Sequence, residues 1–177
     1  HVTDPAIRLI RSQTGRGTIN MNTNGSRPAR LQSLFDAGLD SIRISINSLR
    51  EECYDAYFRP RGYGSADVLA SVETALARKK HVAINYLNCP GFSDTPGEAD
   101  ALVEFLENYP IHMIQWRNLN FDPVRYWKQM DAVASSGEPM GMEILLQQIR
   151  ERFPDLKFGY FNPPREKFFD KSAADPR

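Results

Sequence analysis

The chain has 177 residues, enough for one ordinary domain and its core but short of the roughly 250 typical of a complete eight-fold barrel. Lys and Arg number 22 and so do Asp and Glu, so no overall field draws the chain to nucleic acid or to an anionic membrane. No apolar run approaches the eighteen or so residues that span a bilayer, and the amino terminus lacks a basic-then-apolar leader pattern, so the expectation is a cytoplasmic protein.

In chain order, the segment from Asp4 to Ser12 carries Ile7, Leu9 and Ile10 at helical spacing. Because His1 leads straight into it, the chain reads as opening inside a domain. Short apolar-rich strands and helix-length stretches then alternate, the signature of parallel βα units. Strands are expected at Thr18 to Thr23, Ser41 to Asn47, His81 to Leu87 and Met113 to Asn118, with a weaker fifth at Lys157 to Phe161. Helices are expected at Pro28 to Ala37, Ala66 to Lys79, Glu98 to Asn108 and Met142 to Phe153. Gly38 stands where a left-handed cap would end its helix, and Pro60, Gly62 and Gly64 interrupt the chain before the next. Residues 162–177, rich in proline and charge, read as a linker or frayed tail.

Ile42, Ile44 and Ile46 alternate with Arg43, Ser45 and Asn47, and Ile19 and Met21 alternate with Asn20 and Asn22. Parallel strands covered on both sides read as continuous apolar runs, so here one face must meet something polar. Helices on the outside of an open, incomplete TIM-type (βα) barrel satisfy that pattern. An antiparallel sheet wetted on one side is the alternative, disfavoured by the helical crossovers.

Ligands of βα folds sit beyond the carboxyl ends of the strands. The residues closing those ends are Asn22 and Asn24, Ser45 and Asn47, Asn85 and Leu87, and Gln115, Arg117 and Asn118, a collection of amide, hydroxyl and guanidinium groups suited to a polar organic ligand. The expectation is that Asn22, Ser45, Asn85 and Arg117 converge on one hollow. Each has a plainer reading: Asn24-Gly25 as a simple turn, Ser45 as a hydroxyl satisfied by backbone, Arg117 as the ion-pair partner of Asp122. Tyr54 to Tyr63, with Arg59 and Arg61, reads as a loop able to clamp a carboxylate. Cys53 and Cys89 are too far apart for a zinc or redox motif, and Cys89 reads as a packed thiol.

The run from Ile19 to Ser26, then Ala37 to Ser48, resembles strands three and four of the radical S-adenosylmethionine enzymes, and Asn85 to Asp94 and Gln115 to Asn120 are similar to strands five and six. The likeness extends over about Ile7 to Met130. It implies a protein in which three clustered cysteines hold a [4Fe–4S] cluster, S-adenosylmethionine chelates the remaining iron, and reduction yields a 5′-deoxyadenosyl radical that takes hydrogen from a substrate. It further implies that Ser45 and Arg59 touch the ribose or carboxylate of the cofactor. Asn85 to Leu87 would hold the adenine, and Gln115, Arg117 and Asn118 would stand where cofactor and substrate meet. Aspartate and glycine are commoner in the family at the positions of Asn47 and Ser48. The cysteine triplet and the glycine-rich second strand are absent from this sequence, so the chain as given is expected to lack the cluster and to be inactive.

Two rival readings remain at this point. An ordinary barrel aldolase or isomerase would need a base at a strand end, yet His81 lies at the wrong end of its strand, His112 precedes the next, and no lysine closes one. A non-catalytic nucleoside-binding module is the other. The substrate, a small molecule or a peptide, is not named by the sequence. An open sheet also exposes a strand edge, so self-association through Thr18 to Thr23 is expected.

Overall fold

The computed structural model describes residues 3–134, 137–159 and 164–168. Its centre is a five-stranded sheet of β1 (Asn20–Thr23), β2 (Ser41–Ile46), β3 (His81–Asn88), β4 (Met113–Asn118) and β5 (Lys157–Phe158). The strands are all parallel and lie side by side in sequence order. Helices α1 (Thr3–Gln13), α2 (Pro28–Ala37), α3 (Glu51–Phe58), α4 (Ser65–Ala77), α5 (Pro96–Asn108), α6 (Pro123–Met130) and α7 (Met142–Arg152) accompany them.

The alternation in the strands decides which face the helices cover. Ile42, Ile44, Ile46, Val82, Ile84, Tyr86 and Ile114 share one face and join Leu34, Phe35, Val72, Leu102, Phe105 and Ile149 of the helices in a single core. The opposite face carries the polar set, with Phe168 stacked on His81 at its amino end. Sequential parallel strands joined by helices are the arrangement of an incomplete (βα) barrel, and the antiparallel alternative is overturned by the register.

Local chemistry sets the element ends. Gly38 adopts φ 112°, its N–H and that of Leu39 close on Phe35 and Leu34 carbonyls, and α2 stops there. The Asp67 carboxylate accepts from Gly64 N at 2.9 Å and opens α4. Pro123 begins α6 behind Asp122, whose side chain accepts from Val124 N and Arg125 N.

Several expectations need correcting. Tyr54 to Phe58 are not loop residues but the body of α3; the eight-residue helix is held by burial of Cys53 and Tyr54 rather than by intrinsic propensity. Helix α6 is a further element that periodicity alone did not reveal. β1 begins at Asn20, two residues later than expected, and β5 ends at Phe158, while Tyr160 and Phe161 lie outside the described residues. Within the supposed tail, Arg165–Lys167 form a 3₁₀ turn and Phe168 is buried, stacked on His81 with ring centroids 4.5 Å apart. That part of the segment belongs to the packed body.

Candidate functional site

Cross-strand register places Ser45, Asn85 and Gln115 in one lateral row on the open face, with Leu87 beside Arg117 one step nearer the carboxyl ends. Above this row lies a hollow of about 310 Å³. Ser45, Asn85, Leu87 and Arg117 line its floor, and Asn47 and Asn120 its rim. Tyr57 and Phe58, at the end of α3, close it from above.

The roof is held in place from behind. Asn47 is fully buried and its Nδ2 donates to Cys53 O at 3.0 Å, tying the tip of β2 to α3. The Tyr57 ring meets Tyr126 of α6 at 5.4 Å and Phe121 at 6.0 Å. The β3–α5 loop is equally well braced: Ser93 Oγ donates to Leu87 O, Cys89 N donates back to Ser93 Oγ, and Gly91 N donates to Asp94 Oδ1. Such bracing fixes a ligand's surroundings before it arrives.

Electrostatics separate floor from support. Asn85 Oδ1 has no hydrogen-bond partner among the described residues, leaving a ready acceptor. Burial, and after it the charge of Arg117, lower the pKa of Arg43 on the same face. Behind β2, Glu98 is wholly buried in the first turn of α5. Arg50 Nη1 stands 3.5 Å from its Oε1, outside close hydrogen-bond range, and burial raises the carboxyl pKa against the pull of Ser48 and Arg50. Sequence reading missed Glu98, although a charged residue two positions after a helix-opening proline was visible.

Not all expected residues gather here. Ser45, Asn47, Asn85, Leu87 and Arg117 line the hollow, and Gln115 lies in its floor row, buried. Asn22 shares the open face but stands exposed on the outermost strand, away from the hollow's lining, within hydrogen-bond reach of Asn20. Convergence therefore holds for Ser45, Asn85 and Arg117 but fails for Asn22. Asn24 spends its side-chain oxygen on Ser26 N at 3.1 Å, while Ser71 Oγ donates to Gly25 O, so this dipeptide is a structural turn. Arg59 is the exposed left-handed cap of α3, with φ 48°. Asn118 has the opposite parity to Arg117 and meets Asn88 on the helix side. Asp122, expected beside Arg117, caps α6.

A larger cavity, about 450 Å³, opens at the amino ends of β4 and β5 between Leu106, His112, Phe153 and Phe168. It is lined mainly by apolar side chains and lies at the end of the sheet opposite the strand tips.

The family model described as Radical SAM superfamily matches residues 3–106, more than half of the chain. The chain belongs to the radical SAM superfamily. Among curated relatives, GTP 3′,8-cyclase of Chlorobaculum tepidum is 24% identical over 163 residues, covering 85% of this chain and 43% of that protein. The dual-specificity RNA methyltransferase RlmN of a Caulobacter species is 28% identical over 142 residues, 76% of this chain and 33% of the relative. The solved structure of HydG, a maturase of the [FeFe]-hydrogenase, superposes with a TM-score of 0.58 at 16% identity over 95% of this chain and 39% of its own length, a likeness of fold. The chain thus spans less than half the length of these relatives.

The superfamily implies S-adenosylmethionine and a thiolate-held [4Fe–4S] cluster in the full-length proteins. This chain's cysteines do not fit the cluster. Cys53 and Cys89 are both buried; burial pushes the Cys53 thiol up to about 12 and raises Cys89 as well, so neither offers a thiolate near neutrality. Among the described residues no three His, Cys, Asp or Glu side chains are grouped to hold a metal ion, and no helix is long and apolar enough to cross a membrane.

Proposed function

We propose that the hollow holds the adenosyl portion of S-adenosylmethionine in a whole protein that is a radical SAM enzyme, its cluster ligated by residues outside this sequence. The bound and reduced cofactor would supply a 5′-deoxyadenosyl radical that abstracts hydrogen from substrate. This chain's part is orientation and shielding. Asn85 Oδ1 accepts from an exocyclic amine, Ser45 meets a ribose hydroxyl, and Leu87 and Phe58 flank the base and keep water out.

One observation carries the reading. Ser45, Asn85 and Gln115 stand in lateral register on the polar face of the sheet, beneath the aromatics of α3, in a chain whose residues 3–106 match the family. The relatives' names mention different substrates, GTP for one and RNA for the other, and do not single out one for this chain. Calorimetric titration of the 177-residue chain with S-adenosylmethionine is the direct test. Binding is expected, and Asn85→Ala should weaken it by roughly tenfold, the worth of one buried hydrogen bond. No heat of binding, or equal affinity in the variant, would sink the assignment. In the whole protein, reconstituted without air and reduced, 5′-deoxyadenosine should accumulate.

A further inference from the structure

Behind the hollow lies a buried knot of polar side chains that the cofactor reading does not use. Glu98 of α5, Tyr86 of β3, Tyr126 of α6 and Ser48 just beyond β2 are each at most 1% exposed. Burial, and after it the Glu98 carboxylate, raise the Tyr86 phenol well above its ordinary value. Burial raises Tyr126 too, with Asn47 opposing and Cys89 and Glu98 adding. Four segments distant in sequence thus meet around one acid.

A carboxyl group wholly out of water is costly, and what it can fix in return is the relative placement of the elements that meet it. The element most dependent on such placement is α3. Eight residues are too few for a helix to hold itself, and its N-cap, Arg50, supplies no side-chain cap. The Arg50 guanidinium instead pairs with Glu52 in the first turn of α3 and reaches to 3.5 Å from Glu98 Oε1, while Arg50 N donates to Ser48 Oγ at 3.1 Å. At the other end of the same helix Tyr57 and Phe58 close the hollow, and the Tyr57 ring rests against Tyr126.

We propose that Glu98 is a positioning residue for the hollow: through Arg50 and Tyr126 it fixes where α3 begins, and so where Tyr57 and Phe58 stand over a bound ligand. That the ligand is S-adenosylmethionine rests on the cofactor reading. The placement of α3 does not.

Amide hydrogen exchange tests the placement, and calorimetric titration with S-adenosylmethionine tests its consequence. Glu98→Ala should speed exchange across Glu51–Phe58 by roughly tenfold or more, while exchange in Pro28–Ala37 stays within about twofold of the unsubstituted chain. The folded variant should bind S-adenosylmethionine roughly tenfold more weakly. In a Tyr57→Ala background the same substitution should cost less than about twofold further, because its effect travels through the roof. Should Glu98→Ala fail to fold, Glu98→Gln keeps the shape without the charge, and a several-fold acceleration confined to α3 is still expected.

Unchanged exchange in α3 overturns the positioning role. An equal rise in α2 and α3, or failure of both variants to fold, overturns it too, because Glu98 would then serve stability in general. Full additivity of the Glu98 and Tyr57 substitutions on affinity shows that the roof does not carry the effect, and is equally fatal. If the unsubstituted chain does not bind S-adenosylmethionine, the cofactor reading falls instead, and the exchange pattern alone decides the role of Glu98.

Discussion

The two ends of the same five strands are built from similar polar residues and use them in opposite ways. At the amino ends the polar groups are spent on the fold. Arg11 reaches from α1 to donate to Gly38 O and to pair with Asp40, whose carboxylate also accepts from Ile19 N at 2.7 Å, stapling the entries to β1 and β2. His81 is sealed between His112 and Phe168. At the carboxyl ends Ser45, Asn85 and Arg117 face a hollow, and the structural bonds there belong to residues behind them, such as Asn47 and Ser93. The fold's stability is thus concentrated at one end and its binding capacity at the other, the division expected of βα barrels.

The hardest blow to that division is at the staple. Asp40 and Arg11 are 9% and 16% exposed, so Asp40→Ala strands a nearly buried guanidinium and should cost roughly 3 kcal/mol or more in chemical denaturation. If S-adenosylmethionine affinity of the folded variant also collapses, the two ends are not independent.

Acid comes next. Burial, then the charges of His112, Lys157 and Arg43, hold the His81 imidazole at about 3 against an ordinary 6.5. The folded state therefore favours the neutral ring, and its contribution is fully present above pH 6.5 and is lost as pH falls towards 3. Stability should decline across that window by about 1.4 kcal/mol per pH unit, and His81→Phe should flatten the decline. An unchanged acid limb in the variant would remove His81 from the amino-end core.

A smaller effect sharpens the comparison from the other side. Gly25 belongs to the carboxyl-end turn but is structural: at φ 72°, an added Cβ would meet Val68 Cγ1 at 3.3 Å. Gly25→Ala should destabilise by roughly 1–2 kcal/mol, while Asn24→Ala leaves S-adenosylmethionine binding unchanged. Loss of binding in Asn24→Ala would return that residue to the site.

The smallest expected effect lies at the sheet's margin. β1 is the outermost strand of the described sheet. We propose that its outer edge, unpaired among the described residues, pairs with another copy, and light scattering should show a concentration-dependent rise in mass that Asn22→Lys suppresses. A monomer at high concentration would end that proposal.

Much of this is legible in the sequence. Strict alternation in β2 and the helical crossovers marked parallel strands with one polar face, and the bounds of β4 came out unchanged, because period-two burial is written directly into the residues. Helix α3 was not legible: Glu51 to Phe58 has no clear apolar stripe, and its aromatics owe their helical setting to contacts with α6, some seventy residues away. Helix α6 could have been found from Asp122-Pro123 alone. Asn118 illustrates the limit for the site. A polar residue at a strand tip points in or out by parity, and one position separates Arg117 in the hollow from Asn118 outside it.

The sequence by itself determined the parallel βα pattern, the polar face and the family, because these follow from periodicity and from the order of short motifs along the chain. Which polar residues share a hollow was decided only by tertiary structure. Lateral register brings Ser45, Asn85 and Gln115 together across as many as seventy positions, and the sheet's margin leaves Asn22 outside; neither relation is encoded locally, since both depend on how separate strands align.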